Sequence, residues 1–271
     1  MAIIENLFSL QGSAALVTGA SGGIGSAVAI ALADAGANVA LHGTHVKNLE
    51  EVRRRIDATG GRATILTADL SDLDACKKLI SSTHQALGRL DILFNNAGMN
   101  RRKPIAEITA EDFEKIVAVN LRSVLFLSQT AQPIMKAQGG GKIINIGSLT
   151  SHIALGTSSV YGATKAAVAQ LTKTMAVEWA VDNIQVNCIA PGFIITPLTE
   201  KSVWGDAYKK NWMLQRIPAR RGGKPEDLAG AAIFLSSAAS DYVTGHTLNV
   251  DGGTLAGGSW EPDKDQELID S

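Results

Sequence analysis

The sequence predicts an α/β protein built as one doubly wound parallel sheet with helices on both faces. Three observations carry this. Seven short β-branched runs alternate with longer helical patterns, the rhythm of repeated βαβ units. A glycine-rich turn closes the first run and opens a helix at once. Small and polar residues gather where the runs end, which is the edge at which open α/β sheets hold their ligands.

The elements follow in order. The first run, SAALVTG, ends at Gly19, and the turn TGASGGIG occupies residues 18–25. Three of its glycines, Gly19, Gly23 and Gly25, permit a tight turn and close backbone approach to a ligand. The helix that follows, within GSAVAIALADAG, offers free N–H groups and a positive dipole end to a pyrophosphate. The second run, NVALHG, ends at Gly43. An NAD site usually places an acid here for the ribose 2′-OH. This sequence has His42, Gly43, Thr44 and His45 and no carboxylate, so a 2′-phosphate is tolerated, with Thr44 and His45 as its candidate ligands. NADP is therefore favoured, with NAD possible, although both residues also suit an ordinary surface loop.

The third run, RATILTADL, brings Asp69 and Leu70 to its end, and the fourth, LDILFNNAG, brings Asn95, Asn96, Ala97 and Gly98. The fifth, GKIINIGS, ends at Ser148; the sixth, IQVNCIAPG, ends at Pro191 and Gly192, with Ile194 and Thr196 just beyond; HTLNV closes the series at Val250. KNLEEVRRRIDATG and DLDACKKLISSTHQALG read as crossover helices, and right-handed connections are expected. Taken singly, Asp, Asn and Ser at strand ends also fit plain strand termination or an N-cap. Together they outline a crevice.

One further stretch is out of the ordinary. SSVYGATKAA, residues 158–167, is nearly all small side chains apart from Tyr161 and Lys165. Four residues apart, the two share a helix face. The spacing alone also fits two surface side chains.

The bulk properties are unexceptional. The chain has 271 residues, 45% apolar and 19% charged, with a formal net charge of −1, which gives no footprint for nucleic acid or an anionic membrane. Cys76 and Cys188 lie far apart in no metal-like spacing, so buried free thiols and no metal are expected. The start, MAIIENLFSL, lacks a basic leader pattern, and no run is long and apolar enough to span a bilayer. These features together read as a cytoplasmic protein. Two segments break the βα rhythm. Residues 193–224 form an overlong connection carrying Lys201, Trp204, Tyr208 and Trp212, and residues 259–271 form an acidic tail.

The motifs TGASGGIG, NNAG, Asn120 in VAVNL, Ser148, YGATK and PGFIIT, in this order and spacing, resemble the short-chain dehydrogenase/reductase family up to Gly253. The resemblance implies a single Rossmann-type domain over 1–271, a homotetramer or homodimer, and hydride transfer between NAD(P) and an alcohol or carbonyl. It places a catalytic tetrad on Asn120, Ser148, Tyr161 and Lys165. Cofactor contacts fall on Gly19, Ser21, Ile24, Asp69, Leu70 and Asn96. Others fall on Ala97, Gly98, Tyr161, Lys165, Pro191, Gly192, Ile194 and Thr196. It also makes residues 193–224 a substrate lid and the small-residue helix around Tyr161 part of a subunit interface.

The chemistry fits these residue types. A phenol can exchange a proton with the substrate oxygen if its pKa falls from about 10 toward neutrality. The Lys165 ammonium one turn away favours the phenolate, and by the resemblance it also bonds the nicotinamide ribose. The Ser148 hydroxyl can orient the substrate oxygen. By the resemblance, the Asn120 backbone holds a water that links Lys165 to solvent.

For the substrate, NNAGMNRRKP, AVEWAVDNIQVNCIAPGFIITPLTE and RIPARRGGKPEDLAG resemble the sugar-acid and polyol branch of that family. Arg101 and Arg102 follow NNAG, and Arg102 is the candidate ligand for a substrate carboxylate; a solvated loop or an interface ion pair is the plainer alternative. His152 and Trp204, with Ser148 and Tyr161, are the other candidate substrate contacts. Two further activities stay open. One is a 3-oxoacyl-[acyl-carrier-protein] reductase, for which Arg101, Arg102 and Lys103 would supply a basic docking patch. The other is a non-catalytic NAD(P)-binding regulator, against which the intact tetrad argues.

Overall fold

The computed structural model describes residues 2–258; the acidic tail at 259–271 lies outside the described residues. Among the described residues, seven strands form one all-parallel sheet in the order β3-β2-β1-β4-β5-β6-β7. They are β1 (Ala14–Val17), β2 (Asn38–His42), β3 (Arg62–Leu66), β4 (Ile92–Asn95), β5 (Gly141–Ile146), β6 (Ile184–Pro191) and β7 (Thr247–Val250). Each falls within one of the runs read from the sequence. Strand order reverses between β1 and β4, and the crevice at such a switch point is where this fold class binds ligands.

The helices are α1 (Ala2–Phe8), α2 (Gly23–Asp34), α3 (Val46–Ala58), α4 (Leu73–Leu87), α5 (Ala110–Val117) and α6 (Ser123–Ala137). They continue with α7 (Ser159–Trp179), the single turn α8 (Pro197–Thr199), α9 (Ala207–Arg216) and α10 (Ala229–Ser236). Local chemistry sets several ends. Asp72 caps α4 by accepting from the N–H groups of Asp74 and Ala75, and Gly88, at φ +76°, ends it in the left-handed region. Thr109 and Asp112 form a reciprocal capping box on α5.

Strand side chains alternate between two cores, which is why the runs are apolar without a polar face. Ala15 and Val17 of β1, Ile92 and Phe94 of β4, and Ile144 and Ile146 of β5 pack toward α2, α3 and α10. Their neighbours Leu16, Leu93 and Ile143 pack toward α4, α6 and α7. Burying both faces requires helices on both, so the doubly wound form follows from the side-chain period.

One polar cluster interrupts the second core. Asn95 Nδ2 donates to Asn145 Oδ1 at 2.9 Å and to Ser128 Oγ at 3.1 Å. Asn145 Nδ2 donates to Thr172 Oγ1 at 2.9 Å. Asn95 and Asn145 sit opposite each other in the β4–β5 ladder, so the cluster fixes that register and ties α6 and α7 to the carboxyl ends of the central strands.

Candidate active site

The glycine turn is built for close approach. Gly19 (φ +67°) and Gly23 (φ +54°) hold left-handed backbone. A Cβ at Gly25 would overlap the Gly19 carbonyl oxygen and stand 2.5 Å from Asn96 Nδ2. Asn96 Nδ2 in turn donates to the Thr18 carbonyl at 2.8 Å, pinning the turn to the end of β4. Between them opens a cavity of about 490 Å³. Ser21, Gly23 and Ile24 line one side; Ala97, Gly98, Gly192, Ile194 and Thr196 line the other. Gly19, Gly25, Asn96 and Pro191 line it as well. Among the described residues no carboxylate lines it, and the first turn of α2 faces it with N–H groups that have no intrahelical partner. A glycine cradle that a Cβ would fill, next to a helix N-terminus, fits a dinucleotide.

Four expected cofactor residues are placed elsewhere. Thr44 and His45 are exposed just before α3 and bond each other, Oγ1 to Nδ1, at 3.1 Å; neither lines the cavity. Asp69 is exposed, and its carboxylate accepts from Ser71 N–H at 2.8 Å and Ser71 O–H at 2.7 Å, which holds it below its ordinary pKa. Leu70 is buried in the core against α4. Conversely, Asn48 in the first turn of α3 lines the cavity and was not anticipated, because an exposed Asn in a charged helix has no distinguishing sequence signal.

Ser148, Tyr161 and Lys165 meet at the inner end of the cavity. Tyr161 and Lys165 lie on α7, with Lys165 Nζ 5.7 Å from the phenol ring centroid. Lys165 is buried and its Nζ donates to the Ile146 carbonyl at 2.7 Å. Burial lowers its pKa from 10.5 to about 8. Ser148 caps a short turn, accepting from Thr150 N–H at 3.1 Å, and its hydroxyl bonds the Tyr161 phenol. Burial raises the phenol's pKa above its ordinary value, opposed by the Ser148 hydrogen bond and the charge of Arg102. The expected fall in the phenol's pKa is not met, because desolvation outweighs the charges around it, with the Lys165 ammonium 5.7 Å from its ring. Asn120 sits in a π-turn (Ala118–Arg122) between α5 and α6. Its Nδ2 donates to the Met99 carbonyl and its Oδ1 accepts from Met99 N–H, both at 2.8 Å. A further bond to Thr164 Oγ1 at 3.3 Å joins it to α7 one residue before Lys165.

A second cavity of about 240 Å³ opens from the same phenol. Arg102 and Trp204 line it, as expected, with Asn100, Leu155, Ser158, Phe193 and Val203, which went unnoticed in the sequence. His152 is exposed at the end of the Ser148 turn and lines no cavity described here. Trp204 is held by its Nε1, which donates to the Ile194 carbonyl at 3.3 Å. Arg101 and Arg102, alike in sequence, part company. Arg101 Nη1 bonds Asp112 at 2.7 Å and Glu111 at 3.4 Å, whereas Arg102 reaches Ser158 Oγ at 3.5 Å on the cavity side. An outer groove of about 460 Å³ continues past Arg102 to Tyr208 and Trp212, where Arg216 stacks 4.0 Å from the Trp212 ring. Lys201 is exposed.

Comparison with known proteins gives a consistent picture. The enoyl-(acyl carrier protein) reductase family model matches residues 19–254. A gluconate 5-dehydrogenase of Gluconobacter oxydans is 42% identical over 248 residues, 92% of this chain and 96% of that one. A 2-dehydro-3-deoxy-D-gluconate 5-dehydrogenase of Dickeya dadantii is 42% identical over 255 residues, 94% of this chain and 100% of that one. The crystal structure of a gluconate 5-dehydrogenase from Burkholderia cenocepacia, in complex with NADP and tartrate, superposes with a TM-score of 0.89 at 40% identity, covering 93% of this chain and 99% of that one.

Proposed function

The chain belongs to the short-chain dehydrogenase/reductase family and is an NAD(P)-dependent oxidoreductase, and from that premise we propose that it interconverts a secondary alcohol and ketone on a sugar acid or a similar hydroxylated acid, with NADP preferred. The observation that carries the substrate reading is Arg102. Its guanidinium lines the 240 Å³ cavity together with Ser148 and Tyr161, at a distance from the phenol short enough to act on its charge. A guanidinium in that place suits a carboxylate at one end of a substrate whose carbinol lies at the other. The named relatives are sugar-acid dehydrogenases, which agrees.

A bound nicotinamide supplies or accepts the hydride. The chain handles the proton and the placement. In the oxidative direction the Tyr161 phenolate takes the proton of the substrate hydroxyl; in reduction the phenol returns it. The Ser148 hydroxyl, already bonded to the phenol, orients the substrate oxygen. Lys165 holds a positive charge under the phenol and is held in turn by the Ile146 carbonyl. Asn120, clamped to Met99 and Thr164, fixes the turn beneath it.

The preference for NADP rests on the end of β2, where no carboxylate opposes a 2′-phosphate and Thr44, His45 and Asn48 cluster at the start of α3. The 193–224 segment is read as the lid, because Phe193, Val203 and Trp204 roof the substrate cavity. Assembly as a homotetramer or homodimer is read from α7, whose Val177 and the following Val181 are 79% and 88% exposed. Reduction of 3-oxoacyl thioesters is the second reading, favoured by the likeness to a 3-oxoacyl (acyl-carrier-protein) reductase structure from Agrobacterium tumefaciens, 37% identical with a TM-score of 0.87. The basic patch it needs is reduced to Arg102, because Arg101 and Lys103 are both bound to Asp112.

The test is a nicotinamide absorbance assay over sugar acids, polyols and acyl thioesters with each cofactor. Turnover of a hydroxylated acid with NADP is expected, falling about 10³-fold or more in Tyr161→Phe with the NADPH dissociation constant unchanged. Undiminished turnover in that variant would sink the tetrad assignment. Activity confined to thioesters would establish the second reading, and a clear preference for NAD would refute the cofactor choice.

A further inference from the structure

Three cations in a row, Arg101, Arg102 and Lys103, stand on an irregular segment beside the catalytic phenol. Left to themselves, like charges this close repel and spread toward water. The structure instead sorts them. Asp112, in the first turn of α5, is buried, with 1% of its surface exposed, and takes both outer cations. Its Oδ1 accepts from Arg101 Nη1 at 2.7 Å, and its Oδ2 accepts from Lys103 Nζ at 2.6 Å. The same Oδ2 accepts from Thr109 N–H at 3.2 Å, and Thr109 Oγ1 accepts from Asp112 N–H at 3.1 Å, so the carboxylate is locked to the helix start.

The middle cation faces the other way. Arg101 and Lys103 both reach Asp112, whereas Arg102 lines the cavity at Tyr161. There Arg102 Nη1 meets Ser158 Oγ at 3.5 Å, and Asn100 Nδ2 meets the same oxygen at 3.3 Å. Lys103 N–H donates to the Thr157 carbonyl at 3.1 Å, which staples the segment to the loop before α7. Among the described residues, Arg102 pairs with no carboxylate, while Arg101 and Lys103 each do.

We propose that Asp112 is a positioning residue for substrate recognition: by binding Arg101 and Lys103 together it fixes residues 100–103 so that the Arg102 guanidinium is presented to the Tyr161 cavity for the substrate's carboxylate. It rests on the hydroxy-acid reading of the site given above. Asp112 touches no reacting atom and acts through Arg102. Its two cations hold its carboxyl far below the usual carboxylate range, so the clamp stays charged at every pH at which the enzyme works. The selectivity is for charge: Asp112 and Glu111 together offset Arg101 and Lys103, and Arg102 is left for the ligand.

The test is a double-mutant cycle on the full-length protein, with NADP and gluconate as the assayed pair. Arg102→Leu is expected to raise KM for gluconate about 100-fold, the loss of a charged hydrogen bond. Asp112→Asn is expected to raise KM about tenfold with kcat within about twofold of wild type, and to add nothing in the Arg102→Leu background. A purely structural role for Asp112 would instead lower the active fraction and hence kcat, leaving KM alone. Should Asp112→Asn fold poorly, Lys103→Met removes one tether from the half-exposed side and must give a smaller rise in KM of the same kind. The proposal is overturned if Asp112→Asn and Lys103→Met leave KM unchanged, or if the effect of Asp112→Asn adds in full to that of Arg102→Leu; the hydroxy-acid reading then still stands. If Arg102→Leu itself leaves KM for gluconate unchanged, that reading fails and the positioning role falls with it.

Discussion

Replacing Lys165 with Met is expected to stabilise the protein near neutral pH while destroying its activity. The ammonium is buried, and burial lowers its pKa from 10.5 to about 8. That difference corresponds to about 3 kcal/mol held against the folded state wherever the amine is charged. Met has nearly the same volume and no charge to desolvate. Against this stands the bond from Nζ to the Ile146 carbonyl, 2.7 Å long, whose loss costs about 1.5–3 kcal/mol. The balance favours the variant by about 1 kcal/mol, a rise in Tm of about 2 °C for a chain of this size. The pH dependence gives the sharper signature. Below pH 8 the amine is protonated in both folded and unfolded chains, and the whole penalty applies. Between about 8 and 10.5 the folded protein has released the proton that the unfolded chain still binds, so wild-type stability rises with pH through that window. The thiols of Cys76 and Cys188, both pushed up to about 11 by burial, lower stability above their ordinary value of 9.0; Cys76 does so alike in both proteins, whereas Cys188 is held down by Lys165 and rises further in the variant, which deepens the variant's alkaline deficit. Urea unfolding of cofactor-free wild type and variant, at steps from about pH 6.5 to about pH 9.5, measures it. The variant should lead at the acid end and fall behind at the alkaline end. A constant deficit at every pH would refute the account of the amine as a desolvated charge. Turnover should drop about 10²- to 10⁴-fold throughout.

Two further outcomes are expected. Gly25→Ala should weaken NADPH binding at least about 100-fold and cost about 1–3 kcal/mol of stability, since the new methyl would overlap the fixed Gly19 carbonyl; a fluorescence titration giving wild-type affinity would show that the turn has slack. Asn145→Leu leaves the Asn95 amide and the Thr172 hydroxyl without their shared partner. It should cost about 2–3 kcal/mol, and an unfolding midpoint unchanged within error would mean that the polar cluster contributes no net stability.

Much of the sheet and of the residues gathered at the candidate site is legible in the sequence, for identifiable reasons. Strands buried on both faces are written as unbroken apolar runs, so β6, buried along its whole length, is as plain in IQVNCIAP as in the structure. Tyr161 and Lys165 stand out because almost everything beside them is small. The loop between β4 and α5 shows the limit. Arg101 and Arg102 are indistinguishable as letters, and nothing in an irregular polar segment sets which one turns inward. That phase is imposed from outside by Asp112, whose letter reads only as a helix-start acid. The β2–α3 corner shows the same limit in reverse: Thr44 and His45 occupy the expected stations but bond each other, while Asn48, one turn on, reaches the cavity. For Tyr161, sequence spacing reports the charge one turn away and not the desolvation that raises the phenol's pKa.

The anchoring of α7 has a consequence for how this chain can change length. Tyr161, Thr164, Lys165 and Thr172 hold, in turn, Ser148, Asn120, the Ile146 carbonyl and Asn145. At about 100° per residue all four point within about 100° of one another. A single inserted or deleted residue anywhere between 165 and 172 would swing the rest of the helix by about 100° and pull Thr172 from Asn145, or the phenol from Ser148. Point substitutions can drift along this helix, but its spacing cannot. Length variation is therefore expected in the 193–224 segment and in the loop between β4 and α5, where the registers of the sheet and of α7 impose no count.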